Sequence, residues 1–134
     1  ATFSVANTYA TFLVASIGEL TVTPRPGTPV RGSTTGRPVM ALLDLLGQRW
    51  VLRILWELRN GPLTFRALRA SCDDVSPTVL NGRLKSLREM GIVRPGDDGY
   101  EMTAMGEELG RQLRGLSEWA ERWAEALNAD GSTP

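Results

Sequence analysis

The sequence predicts a mainly α-helical fold of the α+β class, and two observations carry this prediction. From residue 38 onward, apolar residues return every three or four positions, the spacing that places them on one face of an α-helix. Residues 92–102 depart from this pattern, because two short strand candidates, residues 92–94 and 100–102, flank a turn sequence of proline, glycine and aspartate. The 134 residues are enough to bury a core, and we divide them into residues 1–36, 37–103 and 104–134.

Residues 1–36 are predicted to be an N-terminal extension. Residues 24–38 are rich in proline, glycine, serine and threonine, a composition typical of a linker or an extended arm. The apolar positions of residues 1–23 fit an amphipathic helix, and their threonine and valine content also fits strands. This segment lacks the basic start of a signal peptide and is too short and interrupted for a membrane span, so we expect no membrane partner. We expect the extension to be an accessory dimer arm or a flap over a pocket.

Two helices are predicted between residues 38 and 60. Pro38 fits the first turn of the first helix, and Gly47 ends it. The second helix, residues 48–60, is apolar on two sides, with one stripe of Trp50, Ile54 and Leu58 and a nearly opposite pair of Leu52 and Trp56. One side of such a helix can contribute to its own domain core, and the other needs another element or another subunit.

The next two helices have clear start signals. Thr64 can cap a short helix over residues 65–71. After a four-residue turn, Ser76 stands as an N-cap with Pro77 at the first helical position, which predicts a longer helix over about residues 76–90.

Residues 104–134 are predicted to be a C-terminal dimerisation helix and tail. Thr103 can cap this helix, which runs to about residue 127. Its apolar stripe is close to heptad spacing, the pattern of helices that pack on other helices, and consists of Leu109, Leu113, Leu116, Ala120, Trp123 and Leu127.

The order helix, short helix, tight turn, longer helix and β-hairpin is that of a winged helix-turn-helix, here residues 37–103. In this unit the longer helix enters the major groove of DNA and reads bases there. Leu80, Leu84 and Leu87 share one face of that helix at 100° per residue. The opposite face is polar and holds Thr78, Gly82, Lys85, Ser86 and Glu89, with Asn81 and Arg88 on one flank.

Individual DNA contacts follow from side-chain chemistry. Free backbone N–H groups at Ser76 and Thr78 suit a phosphate, and Asn81 can pair with adenine. Arg83 or Lys85 can reach guanine or phosphate, although Arg83 stands close enough to the core stripe to brace the domain instead. The full predicted DNA-contacting set is Thr64, Arg66, Ser76, Pro77, Thr78, Asn81, Gly82, Arg83, Lys85 and Arg94, where Pro77 has helix initiation as its alternative role.

The charge distribution agrees with a polyanion partner. The chain has 15 basic and 15 acidic residues, so its net charge is zero. Residues 20–96 hold 12 basic and 5 acidic residues, a net of +7, whereas residues 97–134 have a net of −6. A basic centre beside an acidic tail is consistent with DNA binding, although such charges also simply solvate helix faces.

The residue inventory excludes several chemistries. The chain contains no histidine, so it has no histidine-based triad and no ordinary histidine-containing zinc site. Its single cysteine, Cys72, cannot form an internal disulfide, and we expect a cytoplasmic protein. No nucleophile–base pair, phosphate loop or metal cluster is visible, so we expect no enzyme, no metal and no cofactor.

The sequence resembles the HxlR-type winged-helix transcriptional regulators, relatives of the MarR group. The resemblance spans about residues 38–127 and is carried by LLGQRWVLRILWEL (45–58), GPLTFRAL (61–68), VSPTVLNGRLKSLREMGIV (75–93) and YEMTAMGEEL (100–109). It implies a homodimer, joined by N-terminal and C-terminal helices, that binds double-stranded DNA at a palindrome-like operator and represses or activates transcription.

Three features depart from the family pattern. Arg37-Pro38 stands where the family often has Cys-Pro, the cysteine with which some members sense electrophiles or oxidants. The lone thiol lies instead in the turn of the helix-turn-helix, where it is either a small buried hydrophobe or a redox sensor. The predicted wing is short with acidic Asp97 and Asp98 at its tip, so wing contacts to DNA are limited to Arg94, and the extension over residues 1–36 is additional.

Two alternative functions remain open at this point. The first is a ligand-sensing regulator with an aromatic pocket at the dimer interface, bound by an unidentified small-molecule effector. The second is a winged helix that binds proteins and not DNA. The residues assigned to the dimer contact or to that pocket are Leu52, Trp56, Leu116, Trp119, Trp123 and Leu127.

Overall fold

A computed structural model of the chain describes residues 23–131. Its elements, in chain order, are α1 (Pro38–Leu46), α2 (Val51–Glu57), a 3₁₀ turn (Leu58–Asn60), α3 (Phe65–Ser71), α4 (Pro77–Glu89), β1 (Val93–Gly96), β2 (Gly99–Met102) and α5 (Ala104–Gly131). The mainly helical fold with one small antiparallel hairpin is confirmed. The helix or strand predicted within residues 1–22 lies outside the described residues.

The arm, which we define as residues 23–37, is folded back on itself. The Gly27 amide donates to the Gly36 carbonyl over 2.9 Å, and Val30 and Ser33 form a short antiparallel bridge. Gly36 has a φ of 69°, and a side chain there would collide with the Thr28 carbonyl. The linker-like composition therefore encodes tight turns in a compact loop.

Helix α2 is shorter than the predicted helix over residues 48–60. Trp50 adopts a left-handed conformation with a φ of 77°, so the α-helix begins only at Val51. Its last turn tightens into the 3₁₀ turn, and Gly61, with a φ of 140°, ends it. Local backbone geometry at Trp50 is the reason why periodicity overestimated this element.

The predicted caps of the helix-turn-helix are confirmed. The Thr64 hydroxyl accepts a hydrogen bond from the Ala67 amide over 3.1 Å, and the Ser76 hydroxyl accepts one from the Val79 amide over 3.3 Å. The turn between α3 and α4 contains Asp73 and Asp74, both in the left-handed region. These contacts set where α4 starts and how it is presented.

The β-hairpin pairs Val93 with Met102 and Gly96 with Gly99, which leaves Asp97 and Asp98 in a two-residue turn. Both strands extend further toward the turn than predicted. Leu63 adds a bridge to the free edge of β2, because its amide and carbonyl pair with those of Tyr100. The hairpin is thereby fixed to the segment that precedes α3.

One hydrophobic core unites these elements, formed by Leu45, Leu46, Val51, Ile54, Leu55, Leu58, Leu68, Cys72, Val75, Leu80, Leu84, Leu87, Ile92 and Val93. Helix α5 begins beside this core. The Thr103 hydroxyl caps the helix by accepting a hydrogen bond from the Gly106 amide over 3.0 Å. Leu109 and Leu113 pack against the core. Beyond them, the second half of α5 is almost entirely exposed.

Within residues 23–131, no helix is both long enough and apolar enough to cross a membrane.

Candidate nucleic-acid interface

Helix α4 has one buried and one open face. Leu80, Leu84 and Leu87 are at most 1% exposed and contact the core. The other face is open to solvent, and its exposed side chains are Thr78, Asn81, Lys85, Arg88 and Glu89, with Gly82 half-buried among them. The surface combines amide, hydroxyl and cationic groups, which are the groups that hydrogen-bond to base edges and phosphates.

Arg83 does not belong to this face, which corrects its assignment to the DNA-contacting residues. Its side chain is 5% exposed, and its Nε donates to the Arg49 carbonyl over 2.7 Å. Burial lowers the pKa of the Arg83 guanidinium. Of the two roles that the sequence left open, the geometry supports the bracing one, in which Arg83 ties α4 to Arg49, two residues before α2.

Ser86 is a second correction, because the sequence placed it on the solvated face. It is buried, and its hydroxyl lies 3.1 Å from the hydroxyl of Thr23 in the arm. No local pattern could have revealed this contact, since the two residues are 63 positions apart in sequence.

The N-terminal end of α4 is open. Ser76, Pro77 and Thr78 are all exposed, and the Ser76 hydroxyl already occupies one amide as a cap. Unpaired amides and the helix dipole favour an anion at such an end. Thr64 and Arg66, at the start of α3, are also exposed. Both sets of predicted backbone-contacting residues are therefore accessible.

The hairpin, by contrast, is acidic. The Arg94 side chain is exposed, but its Nε lies 3.6 Å from the carboxylate of Glu101 on the paired strand. Asp97 and Asp98 project at the turn. Arg94 is the only basic residue of the hairpin, residues 93–102, beside three acidic ones.

The structure brings to α4 one charged group that the sequence analysis did not assign. Arg25 of the arm lies with its guanidinium 3.7 Å from the carboxylate of Glu89. The sequence contains no signal for this pair, because an ion pair across 64 residues depends on tertiary packing alone.

The aromatic and aliphatic residues assigned to a dimer contact or a pocket are on the surface. Leu52, Trp56, Leu116, Trp119, Trp123 and Leu127 each have more than half of their surface exposed. The rings of Trp119 and Trp123 stack with centroids 6.0 Å apart. The Arg59 guanidinium lies 3.6 Å from the centre of the Trp56 ring.

A cavity of about 350 Å³ lies elsewhere, between the arm, α1, the end of α4 and the start of α5. It is mainly apolar and is lined by Pro24, Pro26, Pro38, Ala41, Leu42, Leu45, Met90, Ile92, Met105, Glu108, Leu109 and Gln112. None of the tryptophans proposed as a pocket wall lines this cavity.

Cys72 is fully buried in the core, and burial raises the pKa of its thiol. Of its two roles left open by the sequence, this position supports that of a small buried hydrophobe. Within residues 23–131, no group of three or more cysteine, aspartate or glutamate residues is arranged to hold a metal ion.

Comparison with known proteins places this geometry in a family. The family model described as HxlR-like helix-turn-helix matches residues 45–128. The HTH-type transcriptional regulator YvaP of Bacillus subtilis is 34% identical over 88 residues, which cover 60% of this chain and 82% of that protein. The HTH-type transcriptional regulator YodB of B. subtilis is 28% identical over 101 residues, covering 70% of this chain and 90% of YodB.

Two solved structures share the fold. The quinone-bound YodB of B. subtilis superposes with a TM-score of 0.60 at 28% identity and covers 63% of this chain and 97% of that one. A possible HxlR family transcriptional factor of Thermoplasma volcanium has a TM-score of 0.53 at 29% identity, with coverages of 66% and 85%. The capped helix-turn-helix, its hairpin and these matches agree, and the chain belongs to the HxlR-like helix-turn-helix family of DNA-binding transcriptional regulators.

Proposed function

We propose that the chain is a sequence-specific transcriptional regulator that binds a palindrome-like operator as a homodimer, with α4 in the major groove. The observation that carries this proposal is the open polar face of α4, which lies opposite a leucine face fully packed on the core. A rigid helix with a polar outer face is the geometry that reads base edges.

The exposed residues of α4 divide into two roles. Exposed Asn81 and Lys85 contact bases, and Gly82, which has no side chain, lets the helix lie closer to the groove. Ser76 and Thr78, together with Thr64 and Arg66, contact phosphates at the N-terminal ends of α4 and α3. Pro77 holds the first turn in helical geometry.

The second half of α5 supports dimerisation. The helix has 28 residues and is therefore about 42 Å long, but only its first turns pack on the core. The remaining turns expose one apolar stripe of Leu116, Trp119, Trp123 and Leu127. Contiguous exposed apolar surface marks an interaction site. Two copies of this stripe can bury each other about a two-fold axis, as in most homodimers.

Binding to selected DNA tests the proposal. Genomic fragments recovered with the purified protein should share a palindrome-like sequence, and affinity for it should fall steeply with salt. Asn81→Ala should lower affinity for this sequence by roughly tenfold or more, since a bidentate base contact contributes about 1–3 kcal/mol of discrimination. The matched control Asn128→Ala, at the far end of α5, should bind as the wild type does. A folded protein that binds no duplex would instead support a protein-binding role.

A small-molecule effector is a second candidate function, and the apolar cavity favours it. Its volume of about 350 Å³ falls within the range of ligand sites. YodB, which has been solved with a quinone bound, shows that a relative takes up a small molecule. An apolar or aromatic compound that binds here should raise the melting temperature of the wild type, and Leu42→Trp, which fills the cavity, should abolish that shift. A compound that shifts both proteins equally binds elsewhere.

A further inference from the structure

The arm lies outside the family match, and its charge differs from that of the hairpin. Residues 23–37 lie outside the family match over residues 45–128. They contain three arginines and no acidic residue, a charge of +3 in 15 residues. The hairpin, which is the other segment beside α4, carries a net charge of −2 over residues 93–102.

The arm is anchored on α4. The Thr23 hydroxyl pairs with the buried Ser86 hydroxyl, and the buried Pro24 follows. The Gly27–Gly36 hydrogen bond closes the loop. These contacts hold the intervening residue, Arg25, at the edge of α4 with its side chain about half exposed.

Arg25 lies at the open face of α4. Its partner Glu89 shares that face with Thr78 and Lys85, since the three positions fall within about 40° at 100° per residue. A guanidinium has five N–H donors, so it can pair with Glu89 and still donate to another oxygen. Arg25 also offsets the one carboxylate on this face, which would repel DNA phosphates.

We propose that the arm is a second DNA-contacting element of this protein, in which Arg25 binds a phosphate of the DNA backbone beside α4. This inference rests on the proposed function, since it assigns one more contact of the same surface. It gives the chain a phosphate contact on an element that the family match does not include, while its own hairpin is acidic.

Salt-dependent binding to a mixed-sequence duplex of about 30 base pairs tests this contact, because phosphate contacts are independent of sequence. Removing one phosphate contact from each subunit of a dimer should make the slope of log K against log salt shallower by about 2. Arg25→Ala should therefore lose affinity, on the order of tenfold at about 0.1 M salt. Arg25→Lys keeps the positive charge, so it should retain most of the wild-type affinity and most of the wild-type salt slope. Arg25→Ala with the wild-type slope would overturn the proposal.

Two further variants separate a phosphate contact from a structural role. Glu89→Gln removes the ion pair but leaves the cation, so it should bind the duplex as well as the wild type or better. If Arg25 acted only by holding Glu89, Glu89→Gln would weaken binding as much as Arg25→Ala, which would refute the contact. Arg31→Ala is the matched control, because Arg31 pairs with Asp44 of α1 at 3.6 Å and should keep the wild-type slope; an equal loss there would also refute it. Failure of the wild type to bind any duplex would contradict the proposed function instead.

Discussion

Helix α4 and the second half of α5 are both amphipathic, but their apolar faces lie in opposite environments. The leucines of α4 are buried by the chain itself, whereas the large apolar side chains of α5 from Leu116 onward are more than half exposed. Most helical stability in proteins comes from packing an apolar face. The comparison therefore separates a helix whose apolar face its own domain buries from a helix whose apolar face is left for the partner chain of the proposed dimer.

The two regions also differ in net charge. Residues 20–96, which include α4, hold 12 of the 15 basic residues and have a net charge of +7, whereas residues 97–134 have a net charge of −6. In the proposed dimer, two acidic α5 helices meet through their apolar stripes, which leaves their carboxylates on the outer sides and away from DNA. In the proposed dimer, one region is directed at the nucleic acid and the other at the partner.

A pair of matched leucine truncations should show the largest difference between the regions. Leu84→Ala removes a side chain that is 1% exposed and should lower the free energy of unfolding by about 2–5 kcal/mol. Leu116→Ala removes one that is 58% exposed and, in protein diluted to monomers, should change it by about 0.5 kcal/mol or less. Urea denaturation of both variants measures this, and equal losses would mean that α5 is packed within its own chain.

A charge placed in the α5 stripe should break the dimer and spare the domain. Trp123→Glu puts a carboxylate at the centre of the proposed contact, where loss of a tryptophan anchor costs about 2–4 kcal/mol. Light scattering should report the monomer mass at a concentration where the wild type is dimeric, with the circular dichroism spectrum retained. Ser117→Glu, off the stripe, is the control that should remain dimeric. An unchanged mass for Trp123→Glu would refute this interface.

Arg83 and Arg88 both lie on α4, but truncating the buried Arg83 should destabilise the protein more than truncating the exposed Arg88. Arg83→Ala removes a buried side chain that donates to the Arg49 carbonyl, so we expect a loss of about 1.5–3 kcal/mol in the free energy of unfolding. Arg88→Ala removes an exposed side chain and should leave stability within about 0.5 kcal/mol of the wild type. Thermal denaturation distinguishes them, and a fully stable Arg83→Ala would return Arg83 to the candidate DNA contacts.

The smallest effect concerns the reactivity of Cys72. Its burial hides the thiol and raises its pKa, so the reactive thiolate is scarce near neutral pH and becomes more abundant as the pH rises. Labelling of the native protein by a thiol reagent should be at least about tenfold slower than that of a Cys72→Ala chain carrying Ala70→Cys, which is exposed. Equal rates would restore the redox-sensing alternative.

The sequence was most informative where structure depends on neighbouring residues. Caps at Thr64 and Ser76, the leucine face of α4 and the hairpin turn were all predicted from local patterns and confirmed. Prediction failed where distant residues meet. Arg83 and Ser86 stand on or beside the polar side of a helical wheel, yet both are buried, Arg83 against the Arg49 carbonyl and Ser86 against the arm.

The sequence by itself therefore determined the order of the elements, the capped helices and the family, because helix periodicity and capping act over one or two turns. Only the tertiary structure decided which side chains of α4 remain accessible, that the arm folds onto α4 with Arg25 at its edge, and that a cavity lies away from the tryptophans. These outcomes depend on contacts between residues that are tens of positions apart in sequence. Packing of the whole core brings such residues together, and no periodic pattern in the sequence predicts which of them will meet.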